Sequence, residues 1–423
     1  MSEMLYVRGG NPLVGEVEVS GSKNSVLALI AATLLSDEPC RLENVPDIED
    51  VRVMLKIVEY LGATVDFDSK RGILDIDPRM LDKTEVPQEL SGRLRASYYF
   101  LGSLFGSKGE AKVGLPGGCS IGERKIDFHL MAFSRLGAEI DESDPTVTAI
   151  RGIPTAGNIN FDRKSVGATM NAMLAAAKIE GKTTITNTAR EPHISDLGNF
   201  LRAMGADVRD LGNGTIQIYG KKYLKGFCHS IIPDQIETGT LMIATAATRG
   251  EVRINNCIPE HMEALSAKLL EMGVNVVEES SSIIVRMHEA HRAVNVVTRE
   301  YPGFPTDLQQ PITALLTRAK GKSEITENIF NNRFGFLEEM RRMGARFNIY
   351  DNVAIVNGVD MLKGTYVRAQ DLRGGAALVI AGLMAEGTTA IDNPHYIRRG
   401  YEGLDEKLRS LGADIYYGGG SDG

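Results

Sequence analysis

The chain has no tryptophan, only four cysteines and 15 prolines among 423 residues, and no surplus of positive charge. Each scarcity excludes something. Cys40, Cys119, Cys228 and Cys257 lie far apart without Cys-x-x-Cys spacing, so neither a disulfide frame nor a zinc site is indicated. The seven histidines form no His-x-x-x-His pair, and neither a catalytic metal nor a cofactor is expected. A formal net charge of −8 argues against a nucleic-acid partner, because such surfaces use basic side chains to displace counterions from phosphate. The longest apolar run, residues 25–35, is too short to span a bilayer, and the opening Met1-Ser-Glu-Met-Leu lacks the features of a secretory signal. A cytoplasmic chain without a membrane partner is the expectation.

What is present fits a folded protein of more than one core: 43% apolar and 24% charged residues over a length that one hydrophobic centre seldom supports. A hydrophobic-Gly-small signature closes six amphipathic segments, at Gly62, Gly137, Gly205, Gly273, Gly344 and Gly412, separated by 75, 68, 68, 71 and 68 residues. Each glycine follows a helix-period stretch and precedes an alternating one, which reads as a helix C′ cap leading into a strand. Turn-and-strand segments ending at Asn187, Asn256, Asn328 and Asn393 recur in phase, and wholly apolar helices lie near residues 25–35, 168–177, 239–247 and 375–384. A helix apolar on every side belongs in a domain centre. The fold class implied is α/β, with six repeats of about four strands and two helices grouped as two three-repeat domains. Their expected bounds are 21–231, with a mobile loop at 114–124, and 1–20 plus 232–423.

Chemistry collects where the apolar helices begin. Lys23, Arg95, Arg163 and Arg373 stand at or beside their N-termini, where the dipole disfavours a cation unless an anion lies between them. The alternative is that each pairs with a nearby aspartate or reaches water. A second set, Arg124, Arg190, Arg333 and Arg399, falls in the loops after the short strands. Together they suggest one cleft for a multiply charged ligand. The insertion at 114–124 has four glycines around Cys119 but no Gly-Lys-Ser/Thr, so it is not a Walker A loop. Beside Arg124 and Lys125, Cys119 could act as thiolate or proton donor. Cys40, Cys228 and Cys257 read as small buried residues.

Eight motifs are specific in combination: Gly21-Ser-Lys-Asn-Ser25, Leu94-Arg-Ala-Ser97, Leu115-Pro-Gly-Gly-Cys-Ser-Ile-Gly122, Ser165-Val-Gly-Ala-Thr169, Ala189-Arg-Glu-Pro192, Pro302-Gly-Phe-Pro-Thr-Asp307, Asp371-Leu-Arg373 and Arg399-Gly-Tyr-Glu402. Over essentially its whole length the chain resembles the UDP-N-acetylglucosamine enolpyruvyl transferases. That resemblance implies two inside-out α/β domains with threefold pseudosymmetry, a cleft between them, and the substrates phosphoenolpyruvate and UDP-N-acetylglucosamine. It implies that Lys23, Asn24, Arg124 and Arg399 contact phosphoenolpyruvate. Arg95, Arg124, Lys125, Ile126, Asp127, Phe128, Arg163, Lys164, Ser165, Val166, Asp307 and Ile329 would hold the UDP-sugar. Cys119 would be the proton donor and attachment point and Asp307 the base, with Arg333, Asp371 and Arg373 shaping the cleft.

The chain departs from the family pattern at Gln235, where arginine is common, at Tyr301 and Tyr396, where histidine is, and at Arg398, where aspartate is. These changes leave Lys23, Cys119, Asp307 and Arg399 in place. Another uridine nucleotide as acceptor, or a UDP-sugar-binding paralogue without turnover, are the competing expectations. Shikimate 3-phosphate ranks lower, because the enzyme that uses it lacks the Pro-Gly-Gly-Cys loop.

Overall fold

A computed structural model describes residues 3–117, 125–141 and 143–419. These fall into two compact bodies, one between residues 21 and 232, the other before 21 and after 232. Each has its own hydrophobic core.

In the first body the helices Lys23–Thr33, Tyr99–Lys108 and Val166–Lys178 form the centre. In the second, Gln235–Ala247, Gln309–Leu316 and Leu372–Met384 pack against one another. The helix Lys23–Thr33 buries every residue except Asn24, so it has no polar face to give to water. Around these centres, among the described residues, stand six four-stranded sheets of one topology: an edge strand parallel to its neighbour, then two antiparallel strands. Asn158–Asn160, for example, runs parallel to Gly181–Thr186, which pairs antiparallel with Thr215–Gly220 and through it with Asp207–Asp210. The N-terminal segment enters the second body: Met4–Arg8 lies between Thr388–Asp392 and Asp414–Gly418, and Val14–Glu18 pairs with Glu251–Asn255.

The six cap glycines all have φ between 90° and 117°, a region closed to residues with a Cβ. Each ends an outer helix and admits a strand, as Gly205 does between Pro192–Met204 and Asp207–Asp210. Asn44, Asn187, Asn256 and Asn393 end four of the short strands in left-handed conformation, with φ from 53° to 57°. The fifth repeat breaks this rule. Neither Glu327 nor Asn328 is left-handed, and Glu327 occupies the strand-end place that asparagine takes in those four repeats, so the expected phase at Asn328 is off by one residue. Cys228 is also a correction: it is exposed, because the pleat of its edge strand Cys228–Ser230 turns it outward. Cys40 and Cys257 are buried.

A buried charge cluster secures the chain at Ser20. Glu237, 3% exposed, accepts from the Ser20 amide at 3.2 Å and from the Lys407 ammonium, which also donates to the Ser20 hydroxyl at 2.7 Å. Burial outweighs the attraction of Lys407 and pushes the Glu237 carboxyl up from 4.5 to about 7. With the folded value raised, the native state holds the extra proton between these limits, so this contribution is complete below pH 4.5 and is lost as pH rises through 7. We expect melting temperature to fall from pH 5 to pH 7.5, with Glu237→Gln flattening the slope by about 3 °C. Parallel profiles for the two proteins would exclude this account.

Candidate active site

In the first body, Ser22 caps the helix Lys23–Thr33 and Lys23 is its first residue. The ammonium of Lys23 lies 2.9 Å from Asp50, with only 10% and 6% of the two side chains exposed. Asp50 sits in the first turn of Glu49–Tyr60, where a carboxylate suits the helix dipole. The Ser25 hydroxyl donates to Asp196, whose other oxygen meets His229 Nε2 at 2.8 Å. Asn24, between Lys23 and Ser25, is half-buried.

Arg95 opens the short turn Arg95–Tyr98 before Tyr99–Lys108, and burial pushes its guanidinium below the usual range. His129 is buried; that burial, helped by the charge of Arg95, lowers its imidazole to about 3. It is therefore neutral, accepts at Nδ1 from the Asn171 amide at 2.9 Å and carries its proton on Nε2. Arg163 lies over the Phe128 ring, 5.3 Å from its centre, and Ser165 caps Val166–Lys178 by accepting from the Ala168 amide at 3.3 Å. Lys125 and Ile126 lead into the helix Asp127–Arg135, of which Asp127 is the first residue, and Lys164 is half-buried beside Ser165. Thus Phe128, Arg163, Lys164, Ser165 and Val166 gather at one helix N-terminus. Arg190 is exposed.

In the second body, Asp307 receives two guanidinium groups. Arg333 Nη2 donates to Oδ1 at 2.7 Å, while Arg373 Nε and Nη2 donate to Oδ2 at 3.2 and 3.1 Å. Arg333 Nη1 also donates to Thr306 Oγ1 at 2.7 Å. Asp371 caps Leu372–Met384 by accepting from the Arg373 and Gly374 amides at 2.9 Å, and its second oxygen accepts from Gln310 at 3.2 Å. Arg373 lies over the Tyr401 ring at 5.0 Å. Burial disfavours its charge, but Tyr401, Asp307 and Asp234 more than restore it. Arg333 Nε and Arg373 Nη1 are buried without a hydrogen-bond partner among the described residues, which is costly unless a ligand or water supplies one. Arg399, half-buried, follows the helix His395–Arg398. The next residue, Gly400, packs closely: a Cβ there would fall 2.3 Å from Leu372 Cδ1 and would push that side chain aside. That close approach also sets the Arg399 turn against Arg373, 3.6 Å from the same imagined Cβ to Nη1. A small recess of about 20 Å³ beside the Asp307 turn is lined by Gln235, His261, Tyr301, Pro305 and Leu308 among others, so two of the departures from the family pattern share it.

The model of the EPSP synthase (3-phosphoshikimate 1-carboxyvinyltransferase) family matches residues 7–408. A UDP-N-acetylglucosamine 1-carboxyvinyltransferase of Clostridium botulinum is 48% identical over 97% of this chain and 99% of its own. One of Geobacillus kaustophilus, numbered 2 there, is 46% identical over 98% and 96%. The chain belongs to this family of enolpyruvyl transferases. Among solved structures, the enolpyruvyl transferase NikO from Streptomyces tendae superposes with a TM-score of 0.90 at 28% identity, covering 98% of this chain and 99% of that one. EPSP synthase from Acinetobacter baumannii shares the fold, with a TM-score of 0.74 at 16% identity, covering 99% of this chain and 100% of that one.

Lys23 and Arg373 stand in the first turns of central helices, Arg95 and Arg163 just ahead of theirs, and Arg333 meets Asp307 as a pair that spacing alone did not reveal. Cys119 and Arg124 lie outside the described residues. Asp50, His129, Asn171, Thr306 and Glu327 were missed. Asp50 carried a signal of a kind, an acidic residue in a helix's first turn, but nothing in its surroundings named Lys23 as its partner.

Proposed function

We propose that this enolpyruvyl transferase moves the enolpyruvyl group of phosphoenolpyruvate to the 3-hydroxyl of UDP-N-acetylglucosamine and releases phosphate. That is the committing step of peptidoglycan synthesis, in the cytoplasm, and through it a contributor to cell shape and division. The observation that carries the reading is 46–48% identity over nearly the full length to transferases named for that reaction. No helix among the described residues is long and apolar enough to cross a membrane.

The chemistry is addition followed by elimination. Protonation of the methylene carbon of phosphoenolpyruvate makes C2 electrophilic; the sugar oxygen, losing its proton, attacks C2; loss of a proton from the new methyl group and departure of phosphate restore the double bond. Lys23, Asn24, Arg124 and Arg399 are assigned to the phosphate and carboxylate of phosphoenolpyruvate. Cys119 is assigned to the protonation and Asp307 to the sugar hydroxyl. The ion pairs with Arg333 and Arg373 hold the Asp307 carboxylate in place. Arg95, Lys125 to Phe128, Arg163 to Val166, and Ile329 are assigned to the UDP-sugar, with Asp371 holding Arg373 in place.

The test is phosphate release from phosphoenolpyruvate with a panel of acceptors. UDP-N-acetylglucosamine should support turnover, and shikimate 3-phosphate should not. Intact-mass measurement after exposure to the epoxide fosfomycin should show one adduct, located on Cys119. Release with a different uridine nucleotide alone would reassign the acceptor, and no release with any would remove the function.

A further inference from the structure

Glu327 is 2% exposed and has no role in the assignments above. It stands where four of the other repeats place a left-handed asparagine, and its carboxylate does the work of that turn. Oε1 accepts from the Thr298 hydroxyl at 2.9 Å and from the Ile329 and Phe330 amides at 2.8 and 3.2 Å. Oε2 accepts from the Thr306 hydroxyl at 2.9 Å. All four partners are donors, which suits a carboxylate. Thr298 Oγ1 in turn accepts from the Asn328 amide at 2.9 Å, so the whole 327–330 turn is folded over this one group.

The bond to Thr306 has a directional consequence. A hydroxyl has one proton, and Thr306 directs it to Glu327, so its lone pairs face Arg333 Nη1 at 2.7 Å. The other end of that guanidinium holds Asp307 Oδ1 at 2.7 Å. Rotation of the Arg333 plane is therefore fixed at both ends, and the plane of the Asp307 carboxylate follows it. One buried carboxylate thus reaches Asp307 through Thr306 and Arg333, and reaches the backbone at Ile329 directly.

We infer that Glu327 is a positioning residue for the acceptor half of the reaction, setting the Asp307 carboxylate through Thr306 and Arg333 and the backbone at Ile329 by direct bonds. The inference rests on the proposed function, so wild-type phosphate release is measured first. Absence of turnover in the wild type would overturn that reading, and this one with it. Given turnover, Thr306→Val, which keeps shape and removes the hydroxyl, should lower kcat about 30-fold while KM for phosphoenolpyruvate stays within about twofold. Thr306→Ser, which keeps the hydroxyl, should restore kcat to within about threefold of wild type. Glu327→Gln should lower kcat by a similar factor and raise KM for UDP-N-acetylglucosamine about tenfold, again with little change for phosphoenolpyruvate. Wild-type kcat in Thr306→Val would overturn the proposal. So would equal damage in Thr306→Ser and Thr306→Val, or a parallel rise in both KM values, since each would mark a packing role instead of a relay.

Discussion

Asp307→Asn is expected to lower kcat about a thousandfold, the size of effect that follows from losing a positioned base. Asparagine has the same shape, so substrate shape recognition is retained and the loss should fall on kcat more than on either KM. Structure adds a second consequence. The amide offers one oxygen and one nitrogen where the carboxylate offered two acceptors, so either Arg333 or Arg373 would meet an N–H donor with its own. Both guanidinium groups are almost wholly buried, with 3% and 2% of their side chains exposed. Removing the carboxylate they share should destabilise the second body by about 3 kcal/mol. Steady-state phosphate release with a thermal melt checks both. A kcat within threefold of wild type would clear Asp307 of the base role, whatever happened to stability.

The repeats were legible because their signals are local. A glycine at the end of an amphipathic helix and an asparagine at the end of a short strand each answer a backbone demand, a positive φ, that few residues meet, so spacing alone recovers six units. Cations at helix starts were legible as violations of a local rule, and Lys23, Arg95, Arg163 and Arg373 are indeed there. Their partners were not legible. Arg333 is 26 residues from Asp307 and Arg373 is 66 residues from it, and nothing in either segment names the other. Glu327 shows the same limit from the opposite side. It replaces the left-handed asparagine with a carboxylate that takes the local amides of 329 and 330 together with the distant hydroxyls of 298 and 306. The asparagine beside it then suggests a phase one residue too late. Sequence patterns disclose what the backbone requires of single residues, while pairings that depend on how repeats pack need coordinates.

Lys23→Met separates a structural partner from a substrate ligand at the site where both readings are strongest. The pair with Asp50 satisfies Lys23 in the absence of substrate, so a purely structural role is a coherent alternative. Methionine keeps most of the stem and removes the charge. Asp50, 6% exposed, then loses the Lys23 ammonium, and the first body should lose about 3 kcal/mol. If the ammonium also binds the phosphate of phosphoenolpyruvate, kcat/KM for that substrate should fall about a thousandfold, since a fixed cation facing a leaving phosphate acts mainly in the transition state. The double substitution Lys23→Met with Asp50→Asn divides the two effects. Asparagine needs no counter-charge, so the melting temperature should recover most of the loss. Activity should not recover, because no cation has returned to the helix start. Recovery of both would reduce Lys23 to a partner for Asp50 and leave the phosphate to the arginines.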